Sequence, residues 1–307
     1  AAIGYPLMLK ASAGGGGRGM RILNDEQDLK DDFAMAAAEA RAAFGDPTLY
    51  VEKYILHPRH IEVQILSDGK GDAVHLFERN CSVQRRHQKL IEEAPSPNLL
   101  PEVRQAIHAS AVKIAKAIGY RNAGTVEFLL DADNQYYFME LNARIQVEHP
   151  VTEMITGRDL VKAQLSIAMG NGIGFQQADI QQQGHAIECR INAEDPAMEF
   201  VPSPGTIETY RSPGGFGVRL DTHLYSGYEI PIYYDSLLGK LIAWGSNRRE
   251  ATRIMQRALL ELSIGPVKTT KPFLLQVIQH DEFVSGKYDL DLVQKILDLL
   301  ENQEDGF

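Results

Sequence analysis

The stretch from Phe138 to Pro150 constrains this chain more than any other. It reads Phe-Met-Glu-Leu-Asn-Ala-Arg-Ile-Gln-Val-Glu-His-Pro, with Glu140, Asn142, Arg144, Gln146 and Glu148 on even positions and Met139, Leu141, Ala143, Ile145 and Val147 on odd ones. Successive side chains of a strand point to opposite faces, so this alternation predicts a strand with its apolar set in a core and its polar set on one surface. Carboxylates and an amide suit a hard cation, and a guanidinium suits a small planar anion. The same pattern also describes an ordinary half-exposed strand with a salt-bridged outer row.

The preceding segment bears on the choice. Thr125 to Leu130 reads as a strand that turns through Asp131-Ala132-Asp133-Asn134-Gln135 into Tyr136 to Asn142. Pairing residue 131 with 136 sets Glu127 opposite Glu140, with Cβ atoms roughly 5 Å apart. Carboxylates that close repel unless a cation or a proton joins them, and a bound divalent ion is the simplest account. A displaced register, with the two on opposite faces, is the alternative.

Towards the start, Leu7 to Ser12 and Met20 to Leu23 read as strands joined by Ala13-Gly14-Gly15-Gly16-Gly17-Arg18-Gly19. Gly14, Gly16 and Gly19 satisfy G-x-G-x-x-G, but a dinucleotide fold needs a helix directly after the loop, and a strand follows here. A P-loop is excluded too, because Arg18-Gly19-Met20 stands where Gly-Lys-Ser/Thr is required. What remains is a glycine flap whose backbone N–H groups can approach phosphates, with Lys10 as a point charge beside it, or else a merely mobile hairpin. A helix capped by Asp25 and ended by Gly45 follows, with Leu29, Phe33, Ala36, Ala40 and Phe44 on one face. Leu49 to Ile55 is a strand. Ile61, Val63 and Ile65 alternate with Glu62 and Gln64 in the next, and Asp68 to Asp72 turns it into a strand over Ala73 to Phe77.

Composition matters at this point. Arg79, Arg85, Arg86, His87 and Lys89 crowd into eleven residues of a chain whose net charge is −10. The overall acidity argues against nucleic acid and anionic membrane, so a local anion site or a solvated loop are the two readings of this cluster. An amphipathic helix over Pro101 to Ile118, a second over Asp159 to Met169, and a Gln-rich connection from Gln176 to Gly184 complete this region. Beyond it come strands from His185 to Asn192, Thr206 to Tyr210, Gly217 to Asp221 and Ser236 to Trp244. Helices follow: one with Ala251, Ile254, Met255, Ala258 and Leu262 on one face, one after Pro272, and one over Leu290 to Leu300. Cys81 and Cys189 lack zinc spacing and read as core residues of a reducing compartment. With 307 residues the chain accommodates about two domains. No apolar run is long enough to span a bilayer. The start enters a strand almost at once and resembles the middle of a protein.

Lys10 with the glycine flap, Glu52-Lys53-Tyr54-Ile55, His57 to Glu62, Cys81 to Lys89, Glu140 to Pro150 and Glu188-Cys189-Arg190-Ile191-Asn192-Ala193-Glu194-Asp195, in this order and spacing, resemble biotin carboxylase, the ATP-grasp component of biotin-dependent carboxylases such as acetyl-CoA carboxylase. The resemblance covers Gly4 to about Leu297 and lacks the family's N-terminal domain and the first part of the lid, with one nucleotide-contacting lysine, so weak activity is expected of this chain alone and full activity of a longer parent. It implies an α+β chain. An ATP-grasp fold of antiparallel sheets, flanking helices and a Gly-rich lid is followed by a biotin carboxylase C-terminal α+β domain, with a lid subdomain over 1–54, a catalytic core over 55–182 and the C-terminal domain over 183–301.

The implied activity is ATP-dependent carboxylation of biotin by bicarbonate through carboxyphosphate, a ligase reaction. By the same resemblance Lys10, Gly16, Gly17, His60 and His87 contact ATP, and Glu52, Lys53, Tyr54 and Ile55 line the adenine site. Glu127 and Glu140 hold Mg2+ or Mn2+, with Asn142 on a second ion. Lys89, Arg144, Gln146, Val147 and Glu148 form the bicarbonate site, with Glu148 as general base, and Arg190 faces biotin. The implied partners are a biotin carboxyl carrier protein or domain, a carboxyltransferase component and a second copy of the chain packed through Phe216 and Arg219. The implied setting is the cytoplasm, or an organelle matrix in a eukaryote, with fatty acid biosynthesis as one context. Because the family uses the backbone of Val147, the strand is expected to give way to a loop after Arg144. Another ATP-grasp carboxylate ligase, of the carbamoyl-phosphate type, and a non-catalytic nucleotide-binding module are the competing functions.

Overall fold

Residues 3–14 and 20–304 are described by a computed structural model. The described residues up to His57 form one compact unit and those from Pro58 a second.

In the first unit, β1 (Leu7–Ala11) lies between β2 (Met20–Leu23) and β3 (Leu49–Lys53), antiparallel to both. The hairpin expected around the glycines is present, with Leu7 opposite Leu23; Gly16 and Gly17 themselves lie outside the described residues. Helix α1 (Glu26–Phe44) starts where Asp25 accepts hydrogen bonds from the backbone N–H groups of Gln27 and Asp28, and stops at left-handed Gly45. Leu7, Leu9, Leu23 and Ala36 make the small core. Phe33, expected on the buried stripe, is half exposed, because a three-stranded sheet covers only part of the helix.

The second unit is built on one antiparallel sheet of eight strands. Its order is Val218–Thr222, Leu237–Gly245, β9 (His185–Asn192), β6 (Gln88–Ala94), β5 (Ala73–Arg85), β4 (Arg59–Asp68), β7 (Arg121–Leu130) and β8 (Tyr136–Asn142). On one face of β4 and β7, Ile61, Val63, Ile65, Val126 and Phe128 pack against Ile107 and Ala111 of α2 (Pro101–Ala117), the arrangement that period-2 alternation dictates. A further cluster joins Leu66, Leu76 and Ala123 to Leu160, Ala163 and Ile167 of α4 (Leu160–Ala168). At the other end, α5 (Arg248–Glu261), α6 (Lys271–Gln279), α7 (Asp281–Ser285) and α8 (Leu292–Glu304) cover β9 and Leu237–Gly245. Cys81 and Cys189 are buried and free, as core residues.

Four local expectations change. The strand read as Ala73 to Phe77 runs on to Arg85, so the basic cluster lies on a hairpin of β5 and β6 and not on a solvated loop. Its tip is Arg86-His87, both at positive φ, a two-residue turn without the usual Asn-Gly signal. Opposite β7, Tyr136 pairs with Leu130 rather than with Asp131, and a bulge at Met139 then restores Glu127 opposite Glu140. Strand β8 stops at Asn142, ahead of Arg144, and an unforeseen helix, α3 (His149–Thr156), begins with Pro150 in its first turn. The strand expected over Thr206 to Tyr210 is broken into the short pieces Gly205–Thr206 and Thr209–Arg211.

Candidate active site

Register across the sheet assembles the polar face. Arg79 of β5 pairs with Glu62 of β4, Glu62 with Glu127 of β7, and Glu127 with Glu140 of β8. Three carboxylates thus stand in one row across three strands, an arrangement that repels itself unless cations are built in. Two side chains supply them. Arg79 is wholly buried: its Nε donates to Glu62 Oε1 at 2.5 Å, Nη1 to Gln64 Oε1 at 2.8 Å and Thr152 Oγ1 at 3.0 Å, and Nη2 to Thr125 Oγ1 and Gln146 Oε1 at 3.2 Å each. Lys89 Nζ donates to Glu62 Oε2 at 2.5 Å, Glu148 Oε1 at 2.6 Å and Glu127 Oε1 at 3.2 Å. Burial alone would raise the Glu62 carboxyl, but Arg79 and Lys89 outweigh it and bring it down to about 2. The Lys89 ammonium is raised well above its ordinary value, since the attraction of Glu62 and its neighbours overcomes desolvation.

Glu127 is the most heavily bonded member. Its Oε1 also accepts from Gln146 Nε2 at 2.7 Å and Asn142 Nδ2 at 3.0 Å, while Oε2 lies 3.0 Å from His60 Nε2. Desolvation is again overcome, here by His60, Lys89 and Gln146, so the carboxyl is held far below its usual range. Asn142 Nδ2 also reaches Glu140 Oε1 at 3.3 Å. Asn142 thus bridges Glu127 and Glu140 at the exposed end of the row through its amide N–H2, and the two carboxylates with the amide oxygen are residue types that suit a hard divalent cation.

Glu148, the N-cap residue of α3 and almost wholly buried, lies between two cations. Lys89 holds Oε1, and Arg190 Nη2 donates to Oε2 at 2.8 Å. Arg190 Nε in turn donates to Glu92 Oε1 at 2.6 Å. Lys240 Nζ donates to the carbonyl of Val147 at 3.1 Å.

The second unit thus brings together His60, Lys89, Glu127, Glu140, Asn142, Gln146, Val147, Glu148 and Arg190. Arg144 is exposed just beyond β8 and donates to the carbonyl of its neighbour Ile145 at 3.3 Å. His87 is exposed at the β5–β6 turn. In the first unit, Lys10 of β1 forms an ion pair with Glu52 of β3, Lys53 Nζ donates to the carbonyl of Tyr5 at 2.9 Å, and Tyr54 and Ile55 follow directly. Sequence reasoning assigned no role to Glu62, Glu92 or Lys240, and read Arg79 only as a member of the basic cluster. Glu62 was visible as a polar member of a period-2 strand, and Lys240 as the lone charge in the apolar Leu237–Gly245 run. Nothing local marked Arg79 as buried.

The antiparallel sheet with its carboxylate-lined, lysine-neutralised face and the separate three-stranded unit accord with an ATP-grasp fold, the class that the family-model matches show. Residues 1–175 match the family model described as carbamoyl-phosphate synthase L chain, ATP binding domain, and residues 188–295 match the biotin carboxylase C-terminal domain. A pyruvate carboxylase subunit from Methanothermobacter thermautotrophicus is 54% identical over 95% of this chain and 60% of its own length. Biotin carboxylase 1 of Bacillus subtilis is 52% identical over 95% and 65%. Among solved structures, the biotin carboxylase domain dimer of Hydrogenobacter thermophilus 2-oxoglutarate carboxylase, in complex with MgADP, ADP and bicarbonate, is similar with a TM-score of 0.90 at 51% identity, over 96% of this chain and 65% of that one. The chain belongs to the biotin carboxylase family, and spans 60% and 65% of the two curated relatives named. Among the described residues, no helix is long and apolar enough to cross a membrane.

Proposed function

We propose that the chain performs the first half-reaction of a biotin-dependent carboxylase: ATP-dependent carboxylation of biotin, borne on a carrier protein or domain, with bicarbonate as the carbon source. The observation that carries this reading is Glu148 set between Lys89 and Arg190. A carboxylate so placed can take the proton of a bicarbonate bound against Lys89, Arg144 and the Val147 backbone, with Gln146 fixed beside it. The bicarbonate oxygen then forms a bond to the γ-phosphorus of ATP as the bond to ADP breaks, giving carboxyphosphate. That mixed anhydride splits into carbon dioxide and phosphate. The phosphate removes the N1 proton of biotin, and N1 attacks carbon dioxide to give carboxybiotin. Arg190 faces the ureido oxygen, where negative charge develops.

Mg2+ or Mn2+ held by Glu127, Glu140 and Asn142 would neutralise phosphate charge. Lys10, Gly16, Gly17, His60 and His87 are assigned to the nucleotide, with Glu52, Lys53, Tyr54 and Ile55 around adenine. The divisions 1–54, 55–182 and 183–301 are proposed as lid, catalytic and C-terminal modules. A carboxyltransferase component would receive carboxybiotin, and a second copy is the proposed oligomeric partner, as in the dimer named above. The cytoplasm is the proposed compartment. The test is Mg-ATP hydrolysis with bicarbonate, with and without free biotin. Stimulation by biotin is expected, Glu148→Gln lowers the rate about 100-fold or more, and Arg190→Ala removes the stimulation. Bicarbonate-dependent hydrolysis indifferent to biotin would favour a carbamoyl-phosphate type of ligase instead, the other activity that the match over 1–175 admits. Binding without turnover would favour a nucleotide-binding module.

A further inference from the structure

Behind Arg190, strands β6 and β9 set Glu92 directly opposite Glu188. Both side chains are completely buried. Glu92 Oε1 accepts from Arg190 Nε, whereas Glu92 Oε2 and both oxygens of Glu188 have no hydrogen-bond partner among the described residues. The charged and titratable groups facing the pair are Arg190, Lys240, Lys89, Glu148 and the thiols of Cys81 and Cys189. Two of the three cations are committed elsewhere. Lys89 is bound by Glu62, Glu127 and Glu148, and Lys240 donates to the Val147 carbonyl and lies 3.6 Å from Asp221. One guanidinium is thus left to serve Glu92 and Glu188, and it is shared with Glu148, whose other oxygen Lys89 holds. An ionised carboxylate with no partner is not sustained in a buried position, and like charges directly opposite in a sheet add to the penalty.

We propose that Glu188 is held as a neutral carboxylic acid and that Glu92 is a positioning residue for Arg190, so that the pair sets the charge with which Arg190 meets the biotin ureido oxygen. This rests on the reading of Arg190 given above. With Glu188 ionised as well, Arg190 would face three anions and present little positive field to a developing oxyanion. With Glu188 protonated, the Glu92 carboxylate fixes the Nε edge and leaves the far side of the guanidinium to Glu148 and substrate. Burial drives the Glu188 carboxyl well above its ordinary range, with Glu92 adding to it. Glu92, raised by burial and by Glu148 but drawn down by Arg190, lies at about 7. Below neutrality Glu92 therefore takes a proton, its charge-assisted bond to Arg190 weakens, and the guanidinium loses its fixed direction.

Two measurements test this. Infrared spectra of the unliganded chain at about pH 8 read protonated carboxyl groups directly, since exposed acids are ionised there. A buried-acid carbonyl band is expected, lost in Glu188→Gln; its absence from the wild type, or its survival in Glu188→Gln, overturns the proposal. Should Glu188→Gln not fold, Glu188→Asp moves the same band. The second measurement is the pH profile of kcat/KM for biotin. An acid limb near neutrality is expected in the wild type and absent in Glu92→Gln, whose KM for biotin rises about tenfold with the KM for ATP unchanged. A Glu92→Gln profile identical to that of the wild type overturns the positioning role. The infrared result needs no turnover. A band that behaves as expected in a chain indifferent to biotin would therefore overturn the proposed function and leave the proton on Glu188, whereas biotin-stimulated turnover without the band would do the reverse.

Discussion

Replacing Arg79 by Met tests how the carboxylate row is held together. The guanidinium is fully buried and makes five hydrogen bonds, one of them the 2.5 Å ion pair with Glu62. Methionine fills much of its volume and supplies no charge. Glu62 then keeps only Lys89 at 2.5 Å, and Lys89 is already shared with Glu127 and Glu148. Removing one partner of a buried ion pair costs about 3–5 kcal/mol, mostly because the other charge is left behind. Stranding the Gln64 and Gln146 carbonyl oxygens adds about 1 kcal/mol each, partly offset by the greater apolar burial of methionine. A loss of about 3–5 kcal/mol is expected, read as the shift of the denaturant midpoint at constant slope. The reasoning also predicts partial rescue: adding Glu62→Gln to Arg79→Met removes the stranded charge, so the double variant is more stable than the single one. A loss below about 1 kcal/mol, or a double variant whose losses simply add, would refute the reasoning.

Acid should destabilise the second unit progressively below the ordinary glutamate range. Glu62 and Glu93 are both lowered to about 2: against the pull of burial, Arg79 and Lys89 hold down the first, and His185 and Arg248 the second. The stability each contributes is present above the ordinary glutamate value and lost as pH falls towards about 2, about 3 kcal/mol apiece; an unfolding free energy flat across that window sinks the assignment. Glu140→Gln should raise the Mg2+ concentration needed for turnover about tenfold, seen in a metal titration at fixed ATP; an unchanged requirement removes Glu140 from the metal site. Gly217 has φ +78°, and a Cβ there would lie 2.2 Å from the Trp244 carbonyl. Gly217→Ala should therefore cost more than about 1 kcal/mol, and an unchanged melting temperature would contradict the backbone described.

Much of the fold was legible because its elements carry local signals. Asp25 and Gly45 mark the ends of α1, and both act as caps. Ile61, Val63 and Ile65 alternate with Glu62 and Gln64, and that alternation separates the α2-packed face from the polar one. What escaped notice depended on partners remote in sequence. The Arg86-His87 turn has no glycine or asparagine to announce it; nearby, Arg85 lies over the Phe200 ring and donates to the Glu199 carbonyl. Arg79 looked like one more member of a basic surface run, because only the assembled sheet shows that Glu62, Thr125, Gln146 and Thr152 close around it.

The stretch from Phe138 to Pro150 shows where periodicity stops being informative about a site. Up to Asn142 it behaves as a strand, and the bulge at Met139 corrects the turn register so that Glu140 still meets Glu127. After Asn142 the alternation persists in the sequence, yet Gln146 and Glu148 are buried while Arg144 is exposed. A strand cannot bring Glu148 to Lys89 of β6 and Arg190 of β9, since β8 is the far edge of the sheet and β7, β4 and β5 lie between. The chain must leave the sheet and cross its face, and the irregular segment 143–147 makes the crossing, setting Glu148 at the N-cap of α3 between the two cations. Ending β8 early is therefore what joins the donor set of Glu127, Glu140 and Asn142 to the ion pairs of Lys89 and Arg190.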